Sequence, residues 1–239
     1  MIRCRNKDRT ADILADGLID LLVPGGYFQL DHWPGSAALA RRHGVKIIAC
    51  LSESRVRDEE GKKVRASLES LRARALQAWA AGVDGIEMFN HFDPQSPLWR
   101  ELGDPALLRT LPKIYFASVQ GSGQGRSYYP AGDHFKLPTL TPDAAQFLTA
   151  ATRRTYELFV GDDLRRHPEH HARLMLRVGA GTASAPLVHW NDQRLPISGR
   201  DQRIWSAALD STWVTPGMHR ITITSQADLR LEDLSLRID

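Results

Sequence analysis

Apolar positions follow two different periods along this chain. Over residues 11–120, short apolar runs alternate with helix-period segments. Residues 18–24 form a brief apolar run that ends at Pro24, Gly25 and Gly26. Residues 34–43 predict a helix that opens at Pro34 and stops at Gly44, and 45–51 predict the next strand. Residues 64–81 predict the clearest helix, because Leu68, Leu71, Ala75, Leu76 and Trp79 recur at spacings of three and four before Gly82. Residues 84–90 predict a third strand and 113–118 a fourth; between them 98–111 is helical but broken near Gly103, Asp104 and Pro105. Strands joined by helices imply a parallel sheet with right-handed crossovers.

From about residue 143 the period shortens to two. Residues 156–160, 172–178, 185–190, 203–209, 219–224 and 229–238 predict strands, separated by turn signals such as Gly161-Asp162, Asn191-Asp192 and Pro216-Gly217. Much of 219–224 and 229–238 alternates apolar with polar residues, as antiparallel strands with one wet face do. Strands at this spacing suggest a sandwich or jelly roll. A loop rich in Gly, Ser, Pro and Tyr at 121–142 separates the two patterns. The expected organisation is therefore α/β followed by all-β. Residues 1–142 would hold about four units of a partial (β/α) TIM-barrel-like domain, and 143–239 an antiparallel β-sandwich or jelly roll.

Polar groups collect where the third strand stops: Glu87, Asn90, His91 and Asp93. Side chains at the C-terminal ends of barrel strands face one mouth, where that fold keeps its active sites. A closed barrel needs eight strands, and four are in view. The expectation is a fragment, a split gene, or a half-barrel completed by a second copy or another chain. A half-barrel alone would leave strand edges and an apolar face open.

Composition narrows the partners. An apolar share of 42% and a charged share of 25% are ordinary for a globular protein. The formal net charge of +3 comes from interspersed residues, which argues against a nucleic-acid partner. Cys4 and Cys50 show no ligand spacing, and the pair His170-His171, which follows Pro168-Glu169 in a polar loop, has no third ligand in view, so no metal site is expected. The run Gly121-Ser-Gly-Gln-Gly125 lacks the Lys-Ser/Thr ending of a phosphate loop, and no cofactor is expected. No apolar run follows the basic residues at the N-terminus, and none is long enough to span a bilayer. That predicts no membrane partner and a cytoplasmic protein, or a periplasmic or secreted one if residues are missing before Met1.

Several segments carry a family likeness. Gly17-Leu-Ile-Asp-Leu-Leu-Val-Pro24, Gly44-Val-Lys-Ile-Ile48, Ala81-Gly-Val-Asp-Gly-Ile86 and Phe89-Asn90 resemble bacterial proteins likened to family-ten glycoside hydrolases. So does Leu98-Trp-Arg-Glu-Leu-Gly-Asp-Pro105 followed by Lys113-Ile-Tyr-Phe116. Val214-Thr-Pro-Gly-Met-His-Arg-Ile-Thr-Ile223 and Leu229-Arg-Leu-Glu-Asp-Leu-Ser-Leu236 resemble a galactose-binding-type jelly roll. The resemblance implies a carbohydrate partner and acid–base cleavage of an oligo- or polysaccharide. The other reading is a carbohydrate-binding or scaffold module without catalysis, or a truncated fragment with no activity of its own.

Cleavage of a glycosidic bond normally needs two carboxyl groups flanking it. Glu87, inside the third strand, and Glu53, just after the second, are the candidate pair. A carboxylate within a strand is costly to bury unless it is paired, so Glu87 is either a poised acid or one half of an ion pair. Glu53 is either catalytic or a solvated loop acid. Asn90 suits a sugar hydroxyl or a turn; Asp93, before Pro94, suits a sugar or a turn start. His91 lies in the same loop. Trp33 suits sugar stacking or core packing, with Asp31 a reserve carboxylate beside it. Ser118, ending the fourth strand, could line the mouth.

Overall fold

A computed structural model of the chain describes residues 7–24, 32–51, 58–119, 140–180, 184–199 and 203–239. Helix α1 (Lys7–Ala15) precedes strand β1 (Leu21–Leu22). Helix α2 (Trp33–Arg42) holds Pro34 in its first turn, where no backbone N–H is needed, and the chain leaves it through Gly44 at φ 67°. Strand β2 (Lys46–Leu51) follows. The helix expected over 64–81 is two, α3 (Glu59–Arg65) and α4 (Leu68–Ala80). Ser67 marks the break, because its Oγ accepts the N–H of Ser70 and caps the second helix. Strand β3 (Gly85–Met88) leads to the short helices α5 (Leu98–Glu101) and α6 (Pro105–Arg109), with Asp104 capping the latter.

β1, β2 and β3 form a parallel sheet in chain order. Ile47, Ala49 and Leu51 share one apolar cluster with Leu22, Trp33, Ala37, Ala75 and Leu76, so α2 and α4 cover that face. Alternation along the strand sends Ile48 and Cys50 to the other face.

The remaining strands are β4 (Lys113–Phe116), β5 (Ser118–Val119), β6 (Gln146–Leu148), β7 (Arg153–Val160), β8 (Ala172–Val178), β9 (Leu187–Trp190), β10 (Gln193–Leu195), β11 (Ser198–Gly199), β12 (Ile204–Leu209), β13 (Gly217–Thr224) and β14 (Leu229–Ile238). One sheet runs β10-β9-β13-β7-β5; the other runs β11-β12-β8-β14-β4, with β6 also on β14. Their inward residues form one core that includes Tyr156, Leu174, Trp190, Ile221 and Leu236, which makes the two sheets a sandwich. Most of the chain's regular structure is β. Among the described residues no helix is long and apolar enough to cross a membrane.

The fourth expected strand departs from expectation. Lys113–Phe116 does not extend the parallel sheet but pairs antiparallel with β14, placing Tyr115 opposite Leu236. After Ala117, whose N–H donates to the carbonyl of Leu234, the chain crosses to the other layer, where β5 pairs with β7. One predicted strand thus edges both sheets, and three parallel strands are described rather than four. The loop proposed as the boundary lies mostly outside the described residues.

Helix α4 binds the two parts together. A Cβ on Gly161 would meet the carbonyl oxygen of Leu76 at 2.6 Å, so only glycine permits this approach. Gln77 donates from Nε2 to the carbonyl of Phe159. Nearby, Arg65 donates to the carbonyl of Leu140 at 2.6 Å, lies 3.6 Å from Asp233 and stacks 3.9 Å over Phe116.

Candidate functional site

Glu87 lies in β3 beside Cys50 of β2 and is half-buried. Parallel neighbours point to the same side, so its carboxylate shares a face with Ile48 and Cys50, away from the helices. Ile86 and Met88, on either side of it, pack against the helical cluster instead. The end of β2 is held against the end of β3, because Leu51 pairs with Met88 and its carbonyl accepts the N–H of Phe89.

Past β3 the chain turns sharply at Asn90, exposed and left-handed at φ 55°. Asparagine tolerates that conformation better than most residues, so its turn role is met. His91 is half-buried and meets Trp99 edge-on, with ring centroids 5.2 Å apart. Its Nε2 is buried with no hydrogen-bond partner among the described residues. Asp93 Oδ1 accepts the N–H of Gln95 at 3.0 Å, which makes Asp93 a turn starter. Its carbonyl accepts the indole N–H of Trp99 at 2.6 Å and fixes that ring's edge. Trp99 nevertheless stays 50% exposed, and Phe92, next to His91 in the chain, is 85% exposed.

The other expected site residues scatter. Trp33 is 3% exposed and takes the packing role, inside the helical core. Ser118 sits in β5, paired with Glu157 of the sandwich, and so does not end a parallel strand. Glu53 and Asp31 lie outside the described residues. The structure therefore gathers Glu87, Asn90, His91 and Asp93 at one strand end and separates Trp33 and Ser118 from them. Reading only polar groups after β3 missed Phe92 and Trp99. For Phe92 the signal was an aromatic in a polar loop; Trp99 lies in the short helix α5 and carries no such signal.

A second cluster of titratable groups is closed to solvent. Tyr115 donates to Asp162 Oδ2 at 2.6 Å. Lys113 Nζ lies 3.4 Å from Asp162 Oδ1 and donates to the carbonyls of Leu108 at 2.6 Å and Leu111 at 2.5 Å. Burial pulls the lysine below its ordinary pKa and pushes Asp162 up, while their mutual attraction opposes both shifts. Burial and the Asp162 charge push Tyr115 well up. All three side chains are at most 1% exposed, so this network ties α6 to β4 and β7 rather than meeting a substrate.

No protein-family model matches this chain, and no curated protein is significantly similar to it. Some solved structures are similar in part. A beta-porphyranase of glycoside hydrolase family 86 from the human gut bacterium Bacteroides plebeius is 10% identical at a TM-score of 0.35, over 53% of this chain and 20% of that one. A variant of BuGH86 in complex with neoagarooctaose is 12% identical at a TM-score of 0.34, over 64% of this chain and 29% of that one. The wild-type BuGH86 complex with the same sugar is 10% identical, with the same TM-score, over 65% of this chain. The chain thus spans less than a third of these proteins' length, and the named neighbours belong to family 86, not family ten. A likeness this small assigns neither a family nor an activity.

Proposed function

We propose that this chain recognises an oligo- or polysaccharide at the C-terminal end of β3, as part of a glycoside-hydrolase-like protein. The observation that carries the reading is the exposure of Phe92 and Trp99 beside Asn90, His91 and Asp93. Phe92 and Trp99 offer two exposed rings within one short segment, and their apolar faces match the C–H face of a pyranose. The chain-order sheet β1-β2-β3 with helices on one face is the arrangement of a barrel wall, and supports the barrel-like part of the reading. Further residues of a longer chain, a second copy or another chain would supply the rest of that wall.

Within this reading Glu87 is the acid–base or nucleophilic carboxylate, and Glu53 its partner. Support comes from the half-buried Glu87 on the helix-free face and from the adjacent ends of β2 and β3. The test is titration calorimetry with neutral oligosaccharides, followed by assay of their hydrolysis. Trp99→Ala and Phe92→Ala should each weaken binding tenfold or more with the fold intact; unchanged affinity in both overturns the site. Glu87→Gln should retain binding and lose turnover. Binding without turnover in the unsubstituted chain would select the non-catalytic module, a reading favoured by the loss of the fourth strand to the sandwich.

A further inference from the structure

We propose a divalent transition-metal site of the zinc class at His167, Glu169 and His170, outside the proposed carbohydrate site. The run His167-Pro168-Glu169-His170 is a tight turn, in which the N–H of His170 donates to the carbonyl of His167 at 3.1 Å. Proline in the second position fixes φ for such a turn. The turn brings both imidazoles to one side, with centroids 6.0 Å apart. His167 Nδ1 lies 3.1 Å from Glu169 Oε1, and His170 Nε2 lies 3.9 Å from the same oxygen. One donor atom from each of the three residues falls within 4.8 Å of the others.

These separations suit a metal ion. Zinc bonds of roughly 2.0–2.1 Å in tetrahedral geometry put neighbouring donors about 3.3–3.4 Å apart, between the 3.1 and 3.9 Å that separate the two imidazoles from Glu169 Oε1. Closing the gap asks for side-chain rotation, chiefly of the exposed Glu169 between the two half-buried imidazoles. The imidazole and carboxylate donors suit zinc and its neighbours rather than calcium or magnesium. Three protein donors leave a position open for water or a ligand, as catalytic rather than structural zinc sites do.

The surroundings hold the donors in place. His170 Nδ1 lies 3.1 Å from the backbone oxygen of Asp239, a contact that suits the tautomer with Nε2 free to ligate, and Nε2 is turned toward Glu169. Such a carbonyl contact on the far ring nitrogen is what ligating histidines usually have. The segment itself is anchored: Leu164 is fully buried and donates to the carbonyl of Val214, while His171 and Asp239 exchange backbone hydrogen bonds. His170 also borders a cavity of about 390 Å³ lined by His171, Arg173, Ser211 and Asp239, so room for water and a small anion lies beside the cluster. The pair His170-His171 alone suggested no third ligand; the turn supplies two, from residues just before it.

The experiment is calorimetric titration of tag-free, full-length chain with Zn²⁺, and with Co²⁺ as a spectroscopic probe. One equivalent should bind, and bound Co²⁺ should show the intense visible bands of a tetrahedral or five-coordinate ion. His167→Ala and His170→Ala should each weaken binding at least a hundredfold, and Glu169→Gln about tenfold. His171→Ala should leave binding unchanged. Circular dichroism should report the same fold for all four variants, which alter a surface turn. Absence of stoichiometric binding, or affinity unchanged from the parent in the His167 and His170 variants, overturns the site. Loss in the His171 variant to the same degree would reduce it to unspecific histidine binding and overturn it equally.

Discussion

The sandwich and the parallel sheet are built on different terms. In the sandwich, strands of up to ten residues bury side chains from both sheets, and Tyr156, Trp190, Leu174 and Ile221 are wholly enclosed. In the parallel part β1 has two residues and β3 four, every residue of β3 is half-exposed, and the described helices cover one face. The parallel part leans on the sandwich through α4 at Gly161 and through α6, whose Leu108 carbonyl accepts from Lys113. The candidate sugar residues sit in the part with the thinner core. Binding groups need exposure, and the sandwich can provide stability for a neighbour that lacks it.

Substitutions can break this comparison. The largest effect is expected from Trp190→Ala, which empties a fully buried indole site and frees the carbonyl of Trp213. It should cost about 3–5 kcal/mol, read from urea denaturation. Hydrogen exchange should show the parallel strands losing protection together with the sandwich; strands that keep their protection would make them independent. Asp162→Asn should cost about 3 kcal/mol, because it leaves the Lys113 ammonium buried without its counter-charge. Pairing it with Lys113→Met should recover much of that loss in a double-mutant cycle.

Gly161→Ala is expected to cost about 1–3 kcal/mol by driving a methyl group against the Leu76 carbonyl. A variant as stable as the parent would show that α4 can shift without penalty. A smaller effect should appear with pH. His219 is stacked on Trp190 at 4.6 Å, donates from Nε2 to Thr215 at 2.7 Å, and accepts at Nδ1 from Asn191 at 3.2 Å. Burial lowers its pKa below 6.5, so the unfolded chain takes up the proton first. The stability it contributes is therefore present above that value and lost as pH falls through the folded-state pKa. Melting temperature should drop over that window in the parent and change less in His219→Gln. Last, Trp99→Ala should change stability by no more than about 0.5 kcal/mol while weakening sugar binding. That separation of effects would sharpen the contrast between the two parts most directly.

The legible elements were those whose signal is local. Pro34 and Gly44 bracket α2, and the segments 172–178, 219–224 and 229–238 form strands, with alternating burial in β8 and both faces largely buried along β14. The segment 113–118 is readable as strand but not as to its partner. Lys-Ile-Tyr-Phe alternates equally well beside a parallel or an antiparallel neighbour, and pairing is decided by β14, far away in the chain. Ser118 was misplaced for that reason. Trp33 kept two readings because a tryptophan beside a helix start fits a core or a surface alike. The buried lysine and aspartate were invisible, since nothing local in Lys113 or Asp162 names its partner. Glu87, Asn90, His91 and Asp93 came together because neighbours in sequence at a strand end remain neighbours in space.

The division of Lys113–Val119 between two sheets also sets an order of events during synthesis. Both β4 and β5 leave the ribosome long before their partners, and β4 pairs Lys113 with Ile238 and Phe116 with Ser235. Until β14 emerges, β4 has unpaired backbone and apolar side chains to hide. Pairings this distant make for slow folding, and the interval is one in which open strand edges can find other chains. Yield in the cell should then depend on chaperones that hold nascent chains, more than on the final stability of the sandwich.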